Sequence, residues 1–195
     1  LVHQGTILGP DGTRMSKSKG NTISPDAYIS EYGSDVFRLY LSFGFAYTEG
    51  GPWSDEGIKA ISRFVNRIER SVEKFVEEKA RLTSDKYGAE EKELNFVLHT
   101  AIRGVSEDAE KFQFNTSVAR MMELVNAFYK YDALPERNGK ALEDTLKTLL
   151  ILVSPFAPHF AEEMWEKMGY AYSIFNQQWP SWDPAALVKD TVEIA

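Results

Sequence analysis

Cysteine is absent from this 195-residue chain. That excludes disulfide staples and thiolate metal sites, and it fits a reducing compartment. No run of about 18 apolar residues occurs, so nothing reads as a membrane-spanning helix. The opening stretch LVHQGTILGPDG is neither basic nor apolar for long enough to be a secretory leader. Positive charge is in deficit: 22 Lys and Arg stand against 29 Asp and Glu, a formal net charge of -7. This balance argues against a general nucleic-acid glue and leaves only local basic stripes for binding a polyanion. The three histidines, His3, His99 and His159, are isolated, and HFAEE lacks the last histidine of a zinc-binding His-x-x-Glu-His. No metal site is expected. There is no internal repeat and no low-complexity segment. The chain starts at Leu1 rather than Met, and LVHQGTILG reads like a strand entered mid-fold, so an excised fragment is expected.

What is present is mostly helical period. After a short strand, GPDG puts Pro10 and Asp11 at the centre of a turn closed by Gly12. A hairpin-like reversal then delivers TRMSKSKGN as an exposed loop. Ser24 is placed to cap a short helix with Pro25 at its first position and Gly33 at its end. A second helix restarts at Ser34, with Val36, Leu39, Tyr40 and Phe43 on one face. A module boundary is expected near Gly50 to Trp53. From Ser54 onward the apolar residues recur at 3.6 spacing. The first long helix should run from Ser54 to Arg81, with Ile58, Ile61, Val65, Ile68, Val72 and Phe75 facing a core. A second spans Ala89 to Lys111. A third follows QFN, where Asn115 or Thr116 can cap. A fourth carries Leu142, Leu146, Leu149, Leu150 and Val153, and a fifth follows Pro158. Met121, Met122, Met164 and Met168 are core at helical spacing. Trp165, Trp179 and Trp182 are placed to clamp an extended tail. The expected fold is mainly α, an antiparallel helix bundle preceded by a short α/β stub.

The stretch GTRMSKSKGN crowds Arg14, Lys17 and Lys19 into six positions, with Ser16 and Ser18 between them. Ammonium, guanidinium and hydroxyl groups on a glycine-flanked loop suit a polyphosphate, and a loop can close on it as negative charge develops. A plain solvated basic loop has the same composition.

The order of the residues says more. RMSKSKGN resembles the KMSKS signature of class I aminoacyl-tRNA synthetases, with Arg14 for the first lysine. SPDAYISEYGSDVFRLYLSF resembles the segment that follows in the leucine, isoleucine, valine and methionine subclass. PWSDEGIKAISRFVNRIERSV, FQFNTSVARMMELVNAFY, SPFAPHFAEEMWEKMG and WPSWDPAALVKDTVEIA resemble the leucyl branch, so the likeness covers nearly the whole chain. It implies an enzyme that joins leucine to tRNA(Leu) with ATP and Mg2+. Lys17 would be the catalytic lysine, with Arg14, Met15, Ser16, Ser18 and Lys19 sharing ATP binding. The resemblance implies residues 1–50 as a catalytic-domain stub, 51–172 as a tRNA-binding bundle and 173–195 as a tail toward a further domain. It implies a cytoplasmic monomer with no membrane partner. The family's His-x-Gly-His stretch is absent here, so this chain alone is expected to be inactive, with leucine bound by residues outside it. The valine enzyme and a free-standing helical RNA-binding module are the alternatives.

Lys59, Arg63, Arg67, Arg70 and Lys74 fall within an arc of about 80° at 100° per residue, opposite the apolar face. A helix can lie on a phosphate backbone this way. Glu69, Glu73 and Glu77 are interleaved, so an ordinary solvated face reads alike. The resemblance tips Arg63, Arg67 and Arg70 toward tRNA.

Overall fold

The structure, a computed structural model, describes residues 1–188. Residues 189–195 of the expected tail lie outside them. Two short strands, β1 (Ile7–Leu8) and β2 (Gly51–Pro52), pair in parallel with Ile7 opposite Gly51. Between them run α1 (Pro25–Tyr32) and α2 (Ser34–Phe43), and then come α3 (Asp55–Glu78), α4 (Ala89–Glu110), α5 (Phe114–Asp132), α6 (Gly139–Val153) and α7 (Pro158–Lys167). Short connections fold the long helices against one another, and the mainly helical architecture matches the expectation.

Periodicity explains the long elements. All six apolar positions read on the first long helix are buried in α3. Ser54 accepts the Gly57 amide at 3.1 Å, and Asp55 and Glu56 occupy the first turn, where the helix dipole favours negative charge. The α-helix stops at Glu78 and a 3-10 turn, Lys79–Arg81, finishes it, a tighter ending than the continuous helix expected. Two expected caps are not made. Ser24 stands at the start of α1 without a side-chain cap bond. Pro25, lacking an N–H, leaves α1 one fewer amide to satisfy. Neither Asn115 nor Thr116 caps α5, which begins at Phe114, two residues earlier than expected; the Thr116 hydroxyl donates instead to the Gln113 carbonyl at 2.9 Å.

One hydrophobic core runs from α2 to α7. Leu39, Ile58, Ile61, Ile68, Met121, Leu124, Leu146, Leu150 and Leu152 have essentially no exposure. Each such side chain contributes roughly 1.5–3 kcal/mol, against about 1 kcal/mol for a cap, so packing outweighs capping in holding these helices. The core is continuous across residues 50–53, because Val36, Leu39, Tyr40, Phe45 and Trp53 share it with the bundle. The α4–α5 turn is locked by Asp108: its carbonyl accepts the Gln113 amide at 2.8 Å and its carboxylate pairs with Arg120 Nε at 2.6 Å. Arg120 crosses α4 over Gly104, where a Cβ would meet its side chain at 2.4 Å. The tail then crosses α4. Trp179 Nε1 donates to Ser106 Oγ at 2.8 Å, and the Asp183 amide donates to His99 Nδ1 at 2.9 Å.

Candidate functional site

The basic loop is built on a hairpin. The Gly12 amide donates to Gly9 O at 2.9 Å and the Gly9 amide to Thr13 O at 2.8 Å, which closes the turn that Pro10 and Asp11 begin. Arg14 then bridges antiparallel to Leu8, so its backbone is tied to β1. Met15 is half-buried against the core, as is Ile23 on the far side. Between them the chain turns once in a 3-10 geometry at Lys17–Lys19 and ends on Gly20, whose φ of 66° a side chain would strain. Ser16 Oγ and Ser18 Oγ lie 2.8 Å apart in a hydrogen bond.

Arg14, Lys17 and Lys19 are all exposed, and among the described residues none has a carboxylate within ion-pairing distance. The nearby Asp11 carboxylate is occupied by neutral donors instead. Thr13 gives it its amide at 3.0 Å and its hydroxyl at 2.9 Å, and Asn21 Nδ2 lies 3.2 Å from both carboxylate oxygens. These bonds, led by the Thr13 amide, hold the Asp11 carboxyl below its ordinary range. Three positive charges within six residues therefore stand unneutralised on a loop with an ordered base. Such an arrangement can receive a polyphosphate.

The stripe on α3 divides. Lys59 pairs with Glu56 at 3.0 Å and Lys74 with Asp132 at 2.6 Å. Arg67 is half-buried: Nη1 donates to Asn126 Oδ1 at 2.8 Å and the guanidinium lies 4.5 Å from the Tyr129 ring centroid. Arg63 and Arg70 are exposed and lack a protein partner among the described residues. On the other flank, Glu69 and Glu73 turn to Lys167 of α7, at 3.4 and 3.3 Å, rather than to the arginines beside them.

An aromatic joint connects the two regions. Trp53 packs against Tyr28 in a tilted contact at 4.6 Å between ring centroids and edge-to-face against Tyr40 at 4.9 Å. Asp55 Oδ1 accepts from the Tyr28 hydroxyl at 2.6 Å and from Trp53 Nε1 at 2.8 Å, which keeps its carboxyl below the usual range. Tyr40 Oη accepts the Ser54 amide at 2.9 Å. Asp55 reads from sequence as a helix-dipole acid only. Asn126 and Tyr129 give no periodic or motif signal; Thr13 and Asn21 lie in the GTRMSKSKGN stretch without a role assigned there, and with Asp11 they are legible only as polar residues that commonly bond backbone in turns.

Among the described residues, no three carboxylate, histidine or cysteine side chains gather as a metal site, and no helix is long and apolar enough to cross a membrane.

The family described as the anticodon-binding domain of tRNA ligase matches residues 91–195, and that described as tRNA synthetases class I (I, L, M and V) matches residues 1–50. A leucine–tRNA ligase of Caldanaerobacter subterraneus subsp. tengcongensis is 63% identical over all of this chain, and one of Clostridium tetani 57%. The chain spans 24% of the length of each of these curated relatives. The crystal structure of the ternary complex of Agrobacterium radiobacter K84 agnB2 LeuRS with tRNA and LeuAMS superposes with a TM-score of 0.85 at 28% identity, covering 95% of this chain and 24% of that one. Mycobacterium tuberculosis methionyl-tRNA synthetase with methionyl-adenylate shares the fold, with a TM-score of 0.75 at 16% identity over 87% of this chain and 38% of its own.

Proposed function

The chain belongs to the anticodon-binding-domain family of tRNA ligases, and from that membership we propose that it works within a leucine–tRNA ligase. The reaction is activation of leucine by ATP, the nucleotide entering as its magnesium complex, followed by transfer of leucine to the 3′-terminal ribose of tRNA(Leu). The observation that carries the reading is the basic turn, whose three cations are exposed, close in sequence and free of carboxylate partners.

In the first step a leucine carboxylate oxygen bonds to the α-phosphorus of ATP. The bond from that phosphorus to the bridging oxygen breaks, and pyrophosphate leaves with the charge. The Lys17 ammonium stabilises that developing charge, and Arg14 and Lys19 add positive potential. Ser16 and Ser18 contribute hydroxyls. The Met15 side chain packs against the core, which leaves its backbone to meet the adenine. Arg63, Arg67 and Arg70 lie against tRNA phosphates, positioning the nucleic acid without reading its sequence. Residues 1–50 belong with the catalytic domain, 51–172 with tRNA binding, and 173–195 lead toward a further domain. A cytoplasmic location, with which the absence of cysteine agrees, and a monomeric state complete the reading.

The test is amino-acid-dependent ATP–pyrophosphate exchange by the protein at the full length of its relatives, with leucine, isoleucine, valine and methionine. Exchange is expected with leucine, falling by roughly 10²–10³ in Lys17→Ala, the scale for removing a preorganised charge-stabilising donor. Exchange with another amino acid would move the specificity, and unchanged exchange in the variant would remove Lys17 from the chemistry.

A further inference from the structure

The side chain of Asn21 reaches most of the basic loop. Its Oδ1 accepts the Ser16 amide at 2.9 Å. Its Nδ2 lies 3.2 Å from each Asp11 carboxylate oxygen, 3.0 Å from Thr13 Oγ1 and 3.3 Å from the Arg14 carbonyl. Two amide hydrogens thus serve four acceptors, and one carboxamide refers residues 11, 13, 14 and 16 to a single point. The segment so held is bounded by Gly12 and Gly20, both in the left-handed region with φ of 72° and 66° and open space where a Cβ would stand. Glycine at these two positions leaves the backbone the widest choice of dihedral angles. Asn21 is half-buried, and Met15 and Ile23, which flank the turn in sequence, pack against the core, so the base of the loop is tied to the fold on both sides.

We propose that Asn21 and Asp11 form a latch that positions the Lys17–Lys19 turn for a polyphosphate. This rests on the phosphate-binding reading of Lys17. The physical reason is entropic. A lysine pair on a glycine-bounded loop would lose freedom on meeting its ligand, and a loop already held at its base loses less. Asp11 serves the latch by taking neutral donors. Its charge is spent on Thr13 and Asn21, so it neither pairs with Lys17 nor competes with the phosphate for it. Asn21 and Asp11 touch no reacting atom in this arrangement; they are positioning residues.

The chemistry predicts a rescue. In Asn21→Asp the carboxylate still accepts from Ser16 but faces Asp11 with like charge. In the double variant Asp11→Asn with Asn21→Asp, donor and acceptor change places and the contact can re-form. The 195-residue chain is titrated with inorganic pyrophosphate, observing the backbone amides of residues 16–20 by NMR, and hydrogen exchange of the Ser16 amide is read in the same samples. Asn21→Ala and Asn21→Asp are expected to speed Ser16 exchange by about tenfold or more and to weaken pyrophosphate binding by about tenfold. The double variant should recover both in part, through the re-formed contact between residues 11 and 21, because the Arg14 carbonyl still lacks its donor. Binding that Lys17→Ala weakens but Asn21→Ala and Asn21→Asp leave unchanged would overturn the latch alone. Binding indifferent to Lys17→Ala would overturn the phosphate reading, and the latch as a positioning device with it, even if Ser16 exchange still followed Asn21.

Discussion

The Asp35 carboxylate of α2 accepts the Phe160 backbone amide of α7 at 2.6 Å, capping a helix 125 residues further along the chain. Its other oxygen meets His159 Nδ1 at 3.1 Å. The residue that precedes α7 is Ala157, which has no side-chain acceptor, so the cap has to come from elsewhere in the fold. Asp35 is only 8% exposed, and its loss would leave the part-buried Phe160 amide unpaired. Asp35→Ala should destabilise by about 2 kcal/mol, combining a lost cap with an unsatisfied donor. Asp35→Asn should cost less, because a carboxamide oxygen still accepts. Chemical denaturation with an unchanged m-value would measure this, and a loss under about 0.5 kcal/mol for the alanine would remove the capping role.

Glu91, at 2% exposure, anchors a second buried network. It accepts from the Tyr131 hydroxyl at 2.6 Å and from the Gly88 amide at 2.6 Å, while Tyr131 Oη accepts the Asn138 amide at 2.7 Å. Burial pushes the Glu91 carboxyl up, but the Tyr131 and Gly88 hydrogen bonds outweigh it and hold the group below its ordinary range. Glu91 therefore contributes stability that is present above about pH 4.5 and lost as pH falls further. Tyr131 behaves oppositely: burial and the Glu91 carboxylate push its phenol up to about 12, so its contribution is lost as pH rises from about 10 through 12. Tyr131→Phe should cost about 1–3 kcal/mol near neutral pH. It should also flatten the alkaline decline when unfolding is followed against pH.

Much of this architecture is legible in the sequence because packing follows period. The apolar positions of α3 and α6 can be read off and are buried where expected; on α7 Met164 is buried but Phe160 only partly so. The basic loop is legible as a motif, since charge order carries it. What escapes is the long-range polar pairing. Nothing in the spacing joins Asp35 to Phe160, Glu91 to Tyr131, or Asn21 to Asp11, because a single hydrogen bond leaves no periodic trace. The cap of α5 is misread for a related reason. Asn and Thr both favour helix starts, but α5 takes in Phe114, which packs against the core, and this puts the helix start two residues before the expected one.

His99 gives a pH dependence to the tail. Its Nδ1 accepts the Asp183 amide at 2.9 Å, which requires an unprotonated ring nitrogen. Burial lowers the His99 pKa, and the Asp183 charge only partly opposes this. A lowered histidine pKa means that the folded form favours the neutral ring. The anchoring is present above about pH 6.5 and is lost as pH falls below it. Trp179, held to Ser106 a few residues away, reports the change. Its fluorescence should shift toward a solvated indole between about pH 7 and pH 5, with Trp179→Phe removing the signal. His99→Phe should leave the tail loosened at every pH. A flat profile in the unmodified chain would show that the contact does not hold the tail.

Arg67 differs from Arg63 and Arg70 in a way that separates binding from stability. The Asn126 bond and the Tyr129 ring tie Arg67 to α5, and Tyr129 Oη donates to the Arg67 carbonyl at 3.1 Å, so its side chain also fastens two helices. Arg63 and Arg70 make no such contact and are solvated. Arg63→Ala and Arg70→Ala should leave stability within about 0.5 kcal/mol yet weaken tRNA binding. Each should reduce the slope of log K against log salt by roughly 1 if each meets one phosphate. Arg67→Ala should lose binding and about 1 kcal/mol of stability together, because a cation–π contact and a hydrogen bond disappear with the charge. Arg67→Lys keeps the charge but not the planar guanidinium, and should retain the salt slope better than it retains stability. Titrations at several salt concentrations, paired with denaturation of the same samples, measure both quantities. Salt titrations of Arg63→Ala and Arg70→Ala that overlay the unmodified protein would make the stripe a solvated helix face, with Arg67 a staple between α3 and α5.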